Sequence, residues 1–208
     1  MSRIILASGS PRRKELLEQI GLEFDICPAQ GEEVIRTNVP EDVVKELSEQ
    51  KAKEVASGVL AYGQEHADLT TPQDILVIGA DTVVACDGEI LGKPKDEEDA
   101  KRMLRLLQGR VHSVYTGVTF VIISADGKAG SYSFAECTNV HMFPMNEKEI
   151  ESYVATGEPM DKAGAYAIQG KCAIYIEKID GDYNNVVGLP VARVYQILKS
   201  LGIDVYMW

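Results

Sequence analysis

Nothing in this sequence is built for cross-linking or for a structural zinc. Its four cysteines (Cys27, Cys86, Cys137 and Cys172) are scattered with no C-x-x-C spacing, so no disulfide framework is readable. The three histidines, His66, His112 and His141, stand far apart, and none lies near a cysteine at a zinc spacing. No apolar run approaches the roughly 20 residues that span a bilayer. The apolar opening Ile4–Ala7 is too short for a signal peptide and runs straight into Ser-Gly-Ser-Pro. The G-x-x-x-x-G-K-[ST] phosphate loop is missing, as are internal repeats, low-complexity tracts and linkers rich enough to part independent domains. An excess of cations is missing too. The net charge of −11 weighs against a nucleic-acid polymer held by diffuse electrostatics, but a few local cations and a divalent metal can still serve a nucleotide. What remains is a cytoplasmic soluble protein of 208 residues, read as one domain over 1–208 with a substantial core.

What is present centres on 75–85, Ile-Leu-Val-Ile-Gly-Ala-Asp-Thr-Val-Val-Ala. Ile75 to Ile78 is a β-branched apolar run of the kind buried on both faces of a sheet. It is expected to end at Gly79-Ala80 and to present Asp81 and Thr82 at its tip before a second strand, Val83–Cys86. A carboxylate at such a place is costly unless paired, hydrogen-bonded or metal-bound; a plain turn aspartate is the competing reading.

The amino-terminal stretch repeats the theme with the opposite charge. Arg3–Ala7 reads as a core strand, and Ser8-Gly9-Ser10-Pro11 leads into a helix with Ser10 as N-cap and Gly21 as its stop. Arg12 and Arg13 fall in the first turn, where the helix dipole favours anions rather than cations. Two guanidinium groups, the hydroxyls of Ser8 and Ser10 and free backbone N–H groups can converge there on a phosphate; a solvated basic pair is the plainer alternative.

Leu22–Cys27 alternates as a half-buried strand, and the loop after it carries Glu32 and Glu33. A helix is expected from Val39-Pro40 through about Ser57, with Lys51 at the margin of its apolar face, where a lysine ordinarily snorkels to water. Residues 58–74 extend that helix slightly and then read as a polar surface excursion. Asp87-Gly88 signals a hairpin of Val83–Cys86 with Glu89–Leu91, which delivers Gly92-Lys93-Pro94, with Lys93 held extended by the proline. A helix follows over Asp96–Gln108, then strands at Arg110–Tyr115 and Gly117–Ser124 joined by a short turn, and a strand at Gly130–Met142. Asn146 caps the next helix. Residues 158–166 read as a loop holding two carboxylates and a lysine, 173–179 as a strand, 180–185 as a turn, Val191–Ser200 as a helix and Val205–Trp208 as a closing strand. Hairpins among helices exclude a purely parallel doubly wound sheet; the fold class is mixed α/β.

Taken together, Leu6–Arg13, Glu33, Lys51-Ala52, Gly79–Thr82, Gly92–Pro94, Gly157–Tyr166, Ile168–Gly170 and Ile179–Pro190 resemble the Maf family of nucleotide pyrophosphatases, in order along essentially the whole chain. Two departures stand out: Leu-Ser-Glu-Gln before Lys51, where a basic residue is expected, and a longer stretch at 62–74. The resemblance implies an inosine-triphosphatase-like fold, with an elongated mixed sheet and two lobes flanking a cleft, and a homodimer.

Carboxylates (Glu33, Asp81) with cations (Arg12, Arg13, Lys51, Lys93) and no defensible covalent nucleophile suit metal-assisted hydrolysis of a phosphoanhydride. On this reading the arginines and lysines hold the triphosphate. Glu33 and Asp81 hold Mg²⁺ or Mn²⁺, which fills its shell with substrate oxygens, and Asp81 takes a proton from the attacking water. Ile168-Gln169-Gly170, with Arg12 and Thr82, resembles the subfamily acting on dTTP and UTP rather than the 7-methylguanosine triphosphate class. The Gln169 amide can both donate to and accept from the O4/N3 edge of uracil or thymine, although a glutamine beside a glycine can also serve a loop backbone. Modified pyrimidine nucleotides are expected as substrates as well. A nucleotide-sensing binding protein that inhibits septum formation is the reading from another class.

Overall fold

The computed structural model describes residues 3–65 and 73–203. Its frame is one seven-stranded mixed sheet. Strand β1 (Arg3–Leu6) pairs in parallel with β2 (Asp25–Ile26) on one side and with β3 (Ile75–Cys86) on the other. Strands β4 (Glu89–Leu91) and β5 (Val111–Ile123) both pair antiparallel with β3, β6 (Ala129–Met142) with β5, and β7 (Ile176–Asp180) with β6. The order is β2-β1-β3-β5-β6-β7, with β4 beside the far end of β3. The fold is mixed α/β, as the interspersed hairpins and helices require.

Helix α2 (Pro40–Glu65) covers one face of the sheet, and α1 (Pro11–Gln19), α5 (Tyr183–Val187) and α6 (Val191–Ser200) pack on the other. Farther along that second face lie α3 (Glu97–Leu107) and α4 (Glu147–Val154). Alternation along β3 sorts the core: Leu76, Ile78 and Ala80 join the α1/α6 side, while Val77 and Val83 lie under α2. Two capped starts follow from sequence. Asp96 accepts from Asp99 N at the head of α3, and Asn146 with Glu149 forms a capping box on α4.

Several expectations need correction. Strand β3 does not end at Gly79-Ala80; it runs unbroken for 12 residues, so Asp81 lies mid-strand and not at a tip. Strand β5 likewise passes through Thr116-Gly117 without a turn and runs on to the turn that Asp126-Gly127-Lys128 signals in the sequence. The glycines are not punctuation but crossing points. A Cβ on Gly79 would lie 2.8 Å from both the backbone N and the Cβ of Ala52, and one on Gly117 would lie 2.8 Å from Lys45 N. Helix α2 can rest on the sheet only because neither residue has a side chain. There the buried Ser48 hydroxyl bonds Thr119 at 2.9 Å, which in turn bonds Ser133 at 2.9 Å.

Helix α2 also extends two turns past Ser57, to Glu65, and β2 is only two residues long and exposed. Residues 171–175 form a 3₁₀ turn before β7, and 183–187 form a short helix capped by Asp182 instead of a turn. Ser10 stands at the N-cap of α1 without a side-chain capping bond. The strand expected at 205–208 and the middle of the 58–74 excursion lie outside the described residues.

Candidate active site

The site begins with a gap in the sheet. On one side of β3, residues 75–78 pair with β1 and residues 84–86 pair with β4. Residues 79–83 between them pair only with β5, on the opposite side. A cleft of about 1090 Å³ opens at that unpaired edge. Because side chains alternate along a strand, Asp81 points to the α2 face and Thr82 to the α1 face, so consecutive residues furnish the two walls. Ser8, Arg12, Arg13, Glu33, Lys51, Asp81, Thr82, Lys93 and Gln169 all line this one cleft.

On the α2 wall, the Lys51 ammonium lies between two carboxylates: 2.8 Å from Glu33 and in direct contact with Asp81. Lys51 does not snorkel to solvent; its side chain is 19 % exposed. Glu33 reaches this point from a segment, 27–39, with no regular structure. Side chains one turn apart on α2 hold that segment's backbone. Glu54 accepts from Gln30 N (2.7 Å) and Gly31 N, and Gln50 both accepts from Val34 N (2.9 Å) and donates to Val34 O (2.6 Å). Glu46 accepts from Arg36 N at 2.9 Å. The unusual Leu-Ser-Glu-Gln thus has assignable contacts: Ser48 meets the sheet, Glu49 pairs with Lys53 on the surface, and Gln50 clips the Glu33 segment.

On the other wall, Arg13 is knitted into the fold. Its Nε donates to Gly188 O at 2.9 Å, and its two terminal nitrogens donate to Ser8 Oγ at 3.0 Å and Thr82 Oγ1 at 3.1 Å. Burial lowers its pKa, with Asp81 opposing. Thr82 continues to Thr116 (2.9 Å), which donates to Asn185 O (2.9 Å). The structure therefore separates the two arginines. Arg13 sets the positions of Ser8 and Thr82, whereas Arg12 sits at the mouth, 3.2 Å from Asp161 of the opposite loop. Burial pushes the Asp161 carboxyl up, but Lys162 and then Arg12 outweigh it and the net shift is downward.

Local sequence does not single out Thr116, Asn185, Asp161 or Lys162. The composition of 158–166 marks a loop of this kind, but nothing local marks Thr116 or Asn185, whose contacts with each other and with Val114 and Thr138 exist only where α5 meets distant strands. Among the described residues no three of His, Cys, Asp or Glu cluster closely enough to hold a metal ion by themselves. Glu33 and Asp81, however, reach the same Lys51 nitrogen, so two carboxylate oxygens lie within one cation's compass. That suits a Mg²⁺-like ion completed by substrate oxygens rather than an all-protein cage.

Fold and site together define a mixed α/β protein whose cleft gathers carboxylates and cations at one open strand edge. The chain belongs to the Maf family, described as Maf-like protein, which matches residues 3–201. It is 66 % identical over 205 residues to the dTTP/UTP pyrophosphatase of Agathobacter rectalis, covering 99 % of this chain and 100 % of that one. It is 46 % identical over 204 residues to the dTTP/UTP pyrophosphatase of Lachnoclostridium phytofermentans, covering 98 % of each. Among solved structures it is similar to a HAM1 protein from Coxiella burnetii, with a TM-score of 0.46 and 15 % identity over 96 % of this chain and 100 % of that one. No helix among the described residues is long and apolar enough to cross a membrane.

Proposed function

We propose that this chain is a nucleoside triphosphate pyrophosphatase that hydrolyses dTTP and UTP to the monophosphate and pyrophosphate. The observation that carries the reading is the open edge of β3, where Asp81, Glu33 and Lys51 face the same cleft as Arg12 and Lys93. Relatives named dTTP/UTP pyrophosphatase at up to 66 % identity support the substrate.

In this reading Arg12 and Lys93 hold the triphosphate, with the α1 N-terminus and Ser8 beside it. Arg12 exchanges its contact with Asp161 for a phosphate, and Arg13 keeps Ser8 and Thr82 in place. Asp81 accepts the proton of a water that attacks the α-phosphorus. The bond from that phosphorus to the bridging oxygen breaks, and pyrophosphate leaves. Glu33 and Asp81 would hold a divalent cation, Mg²⁺ or Mn²⁺, which when bound supplies charge neutralisation of the phosphates. Lys51 keeps the two carboxylates together and offsets their mutual repulsion. At the far end, Gln169 reads the base edge. A cytoplasmic homodimer is part of the same reading; its support is the family resemblance, and light scattering tests the oligomeric state.

Asp81→Asn preserves size and most hydrogen bonding but is no anionic base, so turnover should fall about 10²–10⁴-fold with the fold intact. Arg12→Ala and Lys93→Ala should weaken substrate binding as well as catalysis, because they meet charge present in both ground and transition states. The experiment is pyrophosphate release from a panel of nucleoside triphosphates with Mg²⁺ supplied. An Asp81→Asn enzyme within a few-fold of wild type would remove the general base, and no turnover of any nucleotide would leave a binding protein.

A further inference from the structure

Gln169, the residue proposed to read the base, lies on the turn Ala167–Lys171, with its side chain exposed on the cleft wall. That turn is pinned on both sides of Gln169 by two side chains the reaction does not use. Ala167 N donates to the Tyr153 hydroxyl at 3.1 Å. Lys171 N donates to both oxygens of the Glu158 carboxylate, at 3.0 and 3.1 Å. The anchors are themselves joined, Tyr153 Oη donating to Glu158 Oε1 at 2.8 Å. One continuous chain of hydrogen bonds thus closes from residue 167 to residue 171 behind the glutamine.

Both anchors are well founded. Tyr153 is buried, facing inward from α4 beside Ile150 and Val154. Burial raises its pKa far above the ordinary phenol value, so the hydroxyl keeps its proton and serves as donor and acceptor at once. Glu158 starts a 3₁₀ turn after the short 155–157 link from α4, with Gly157 at φ 74°. Gly170 explains the small residue next to Gln169. Its φ of −104° needs no glycine, but a Cβ there would lie 2.5 Å from Glu158 Oε2, and closer still to the rest of the carboxylate. Residue 170 lacks a side chain because the carboxylate occupies that space.

We infer that Tyr153 and Glu158 are positioning residues for base selection: they fix the Ala167–Lys171 turn so that the Gln169 amide meets the pyrimidine edge in one orientation. This rests on the pyrophosphatase reading and on Gln169 as the base reader. A hydrogen-bonding site discriminates strongly only when its donor and acceptor are held in place, because a movable amide can rearrange to suit an analogue. CTP presents an amino group where dTTP and UTP present a carbonyl, so a loosened glutamine that rotates its amide accepts CTP better. Loss of the clasp therefore acts on selectivity, not on the phosphate end of the cleft.

The test measures kcat/KM for dTTP, UTP and CTP in the wild type, Tyr153→Phe, Gly170→Ala, Gln169→Ala and the Tyr153→Phe/Gln169→Ala double variant. Inhibition by inorganic triphosphate reports the phosphate end. Tyr153→Phe and Gly170→Ala, which open the clasp from opposite ends, should each reduce the dTTP-to-CTP ratio about tenfold, the worth of one well-placed hydrogen bond. The triphosphate inhibition constant should not change. In the Gln169→Ala background Tyr153→Phe should have no further effect on the ratio. A wild-type ratio in both single clasp variants, with Gln169→Ala losing selectivity, overturns the clasp and leaves base reading by Gln169 standing. An unchanged ratio in Gln169→Ala removes the base reader and the clasp's purpose with it. An equal fall with and without Gln169, or a triphosphate constant that moves in parallel, shows a general structural role and overturns the inference.

Discussion

The contact that organises both the fold and the site is the crossing of α2 over β3 and β5, and one methyl group tests it. Gly79→Ala puts a Cβ 2.8 Å from Ala52 N and closer to Ser48 O. Both are backbone atoms inside a helix, so no flexible side chain can yield. Overpacking a core costs about 1–3 kcal/mol, and a rigid obstacle places this case near ~3 kcal/mol. For a chain of this size, about 2–4 °C per kcal/mol converts that to a fall of roughly 6–12 °C in Tm. Gly117→Ala meets Lys45 N at 2.8 Å and the Val44 carbonyl, and should behave alike. The control is Gly58→Ala on the same helix, where an added Cβ meets nothing within 4 Å; relief of helical glycine should stabilise by about 1 kcal/mol. Lys51 precedes Ala52, and Asp81 lies two residues from Gly79 on the same face of β3, so a lifted helix also draws the ammonium from the carboxylate. kcat should fall in Gly79→Ala beyond what lost stability explains at a temperature where the variant is folded. Thermal unfolding by circular dichroism decides the first point. A Gly79→Ala protein within about 2 °C of wild type would refute the crossing as the reason for glycine.

The same crossing shows what local sequence can and cannot carry. The two apolar runs flanking Gly79-Ala80 are strand-like, and so are those flanking Thr116-Gly117. Locally each pair reads as two strands, because glycine is a strand breaker on average. Only the opposing helix, far away in the chain, reveals that the glycine is there to be crossed. By contrast, Asn146 and Gly21 act within one turn of their own position, and their roles are legible there. The nine candidate residues, several of them named through the family resemblance and not through local pattern, line one cleft. Local pattern does not show that Arg13 serves the fold through Gly188, Ser8 and Thr82, because those partners come together only in the tertiary fold. Lys51 is a related case. At the margin of an apolar face it reads as a snorkelling lysine, and only the fold brings it the two carboxylates that hold it, Asp81 from the β3 gap and Glu33 from the 27–39 segment.

The remaining predictions follow from single contacts. Arg13→Lys keeps the charge but loses the planar fork that meets three acceptors, so stability in urea should fall by about 2 kcal/mol, and KM should rise as Ser8 and Thr82 loosen; a protein unchanged in both would show that Arg13 positions nothing. Asn146→Ala removes the capping box of α4 and should cost about 1 kcal/mol without altering the dTTP-to-CTP ratio; a changed ratio would mean that α4 frays as far as Tyr153. The last prediction concerns pH. His112 is buried on β5, 2.8 Å through Nε2 from Tyr166 Oη, with Nδ1 lacking a partner. Burial, with a smaller contribution from His141, lowers its pKa from 6.5 to about 4. The folded state therefore binds this proton less readily than the unfolded chain does. Its contribution to stability is complete above about pH 6.5 and is lost as pH falls toward 4, approaching ~3 kcal/mol in full. In His112→Gln, which can still bond Tyr166, the dependence of unfolding free energy on pH between 6.5 and 4.5 should be shallower by up to about 1.4 kcal/mol per pH unit. Parallel curves for the two proteins would mean that His112 takes up its proton equally well in the folded and unfolded chains, and that the buried ring is not held neutral.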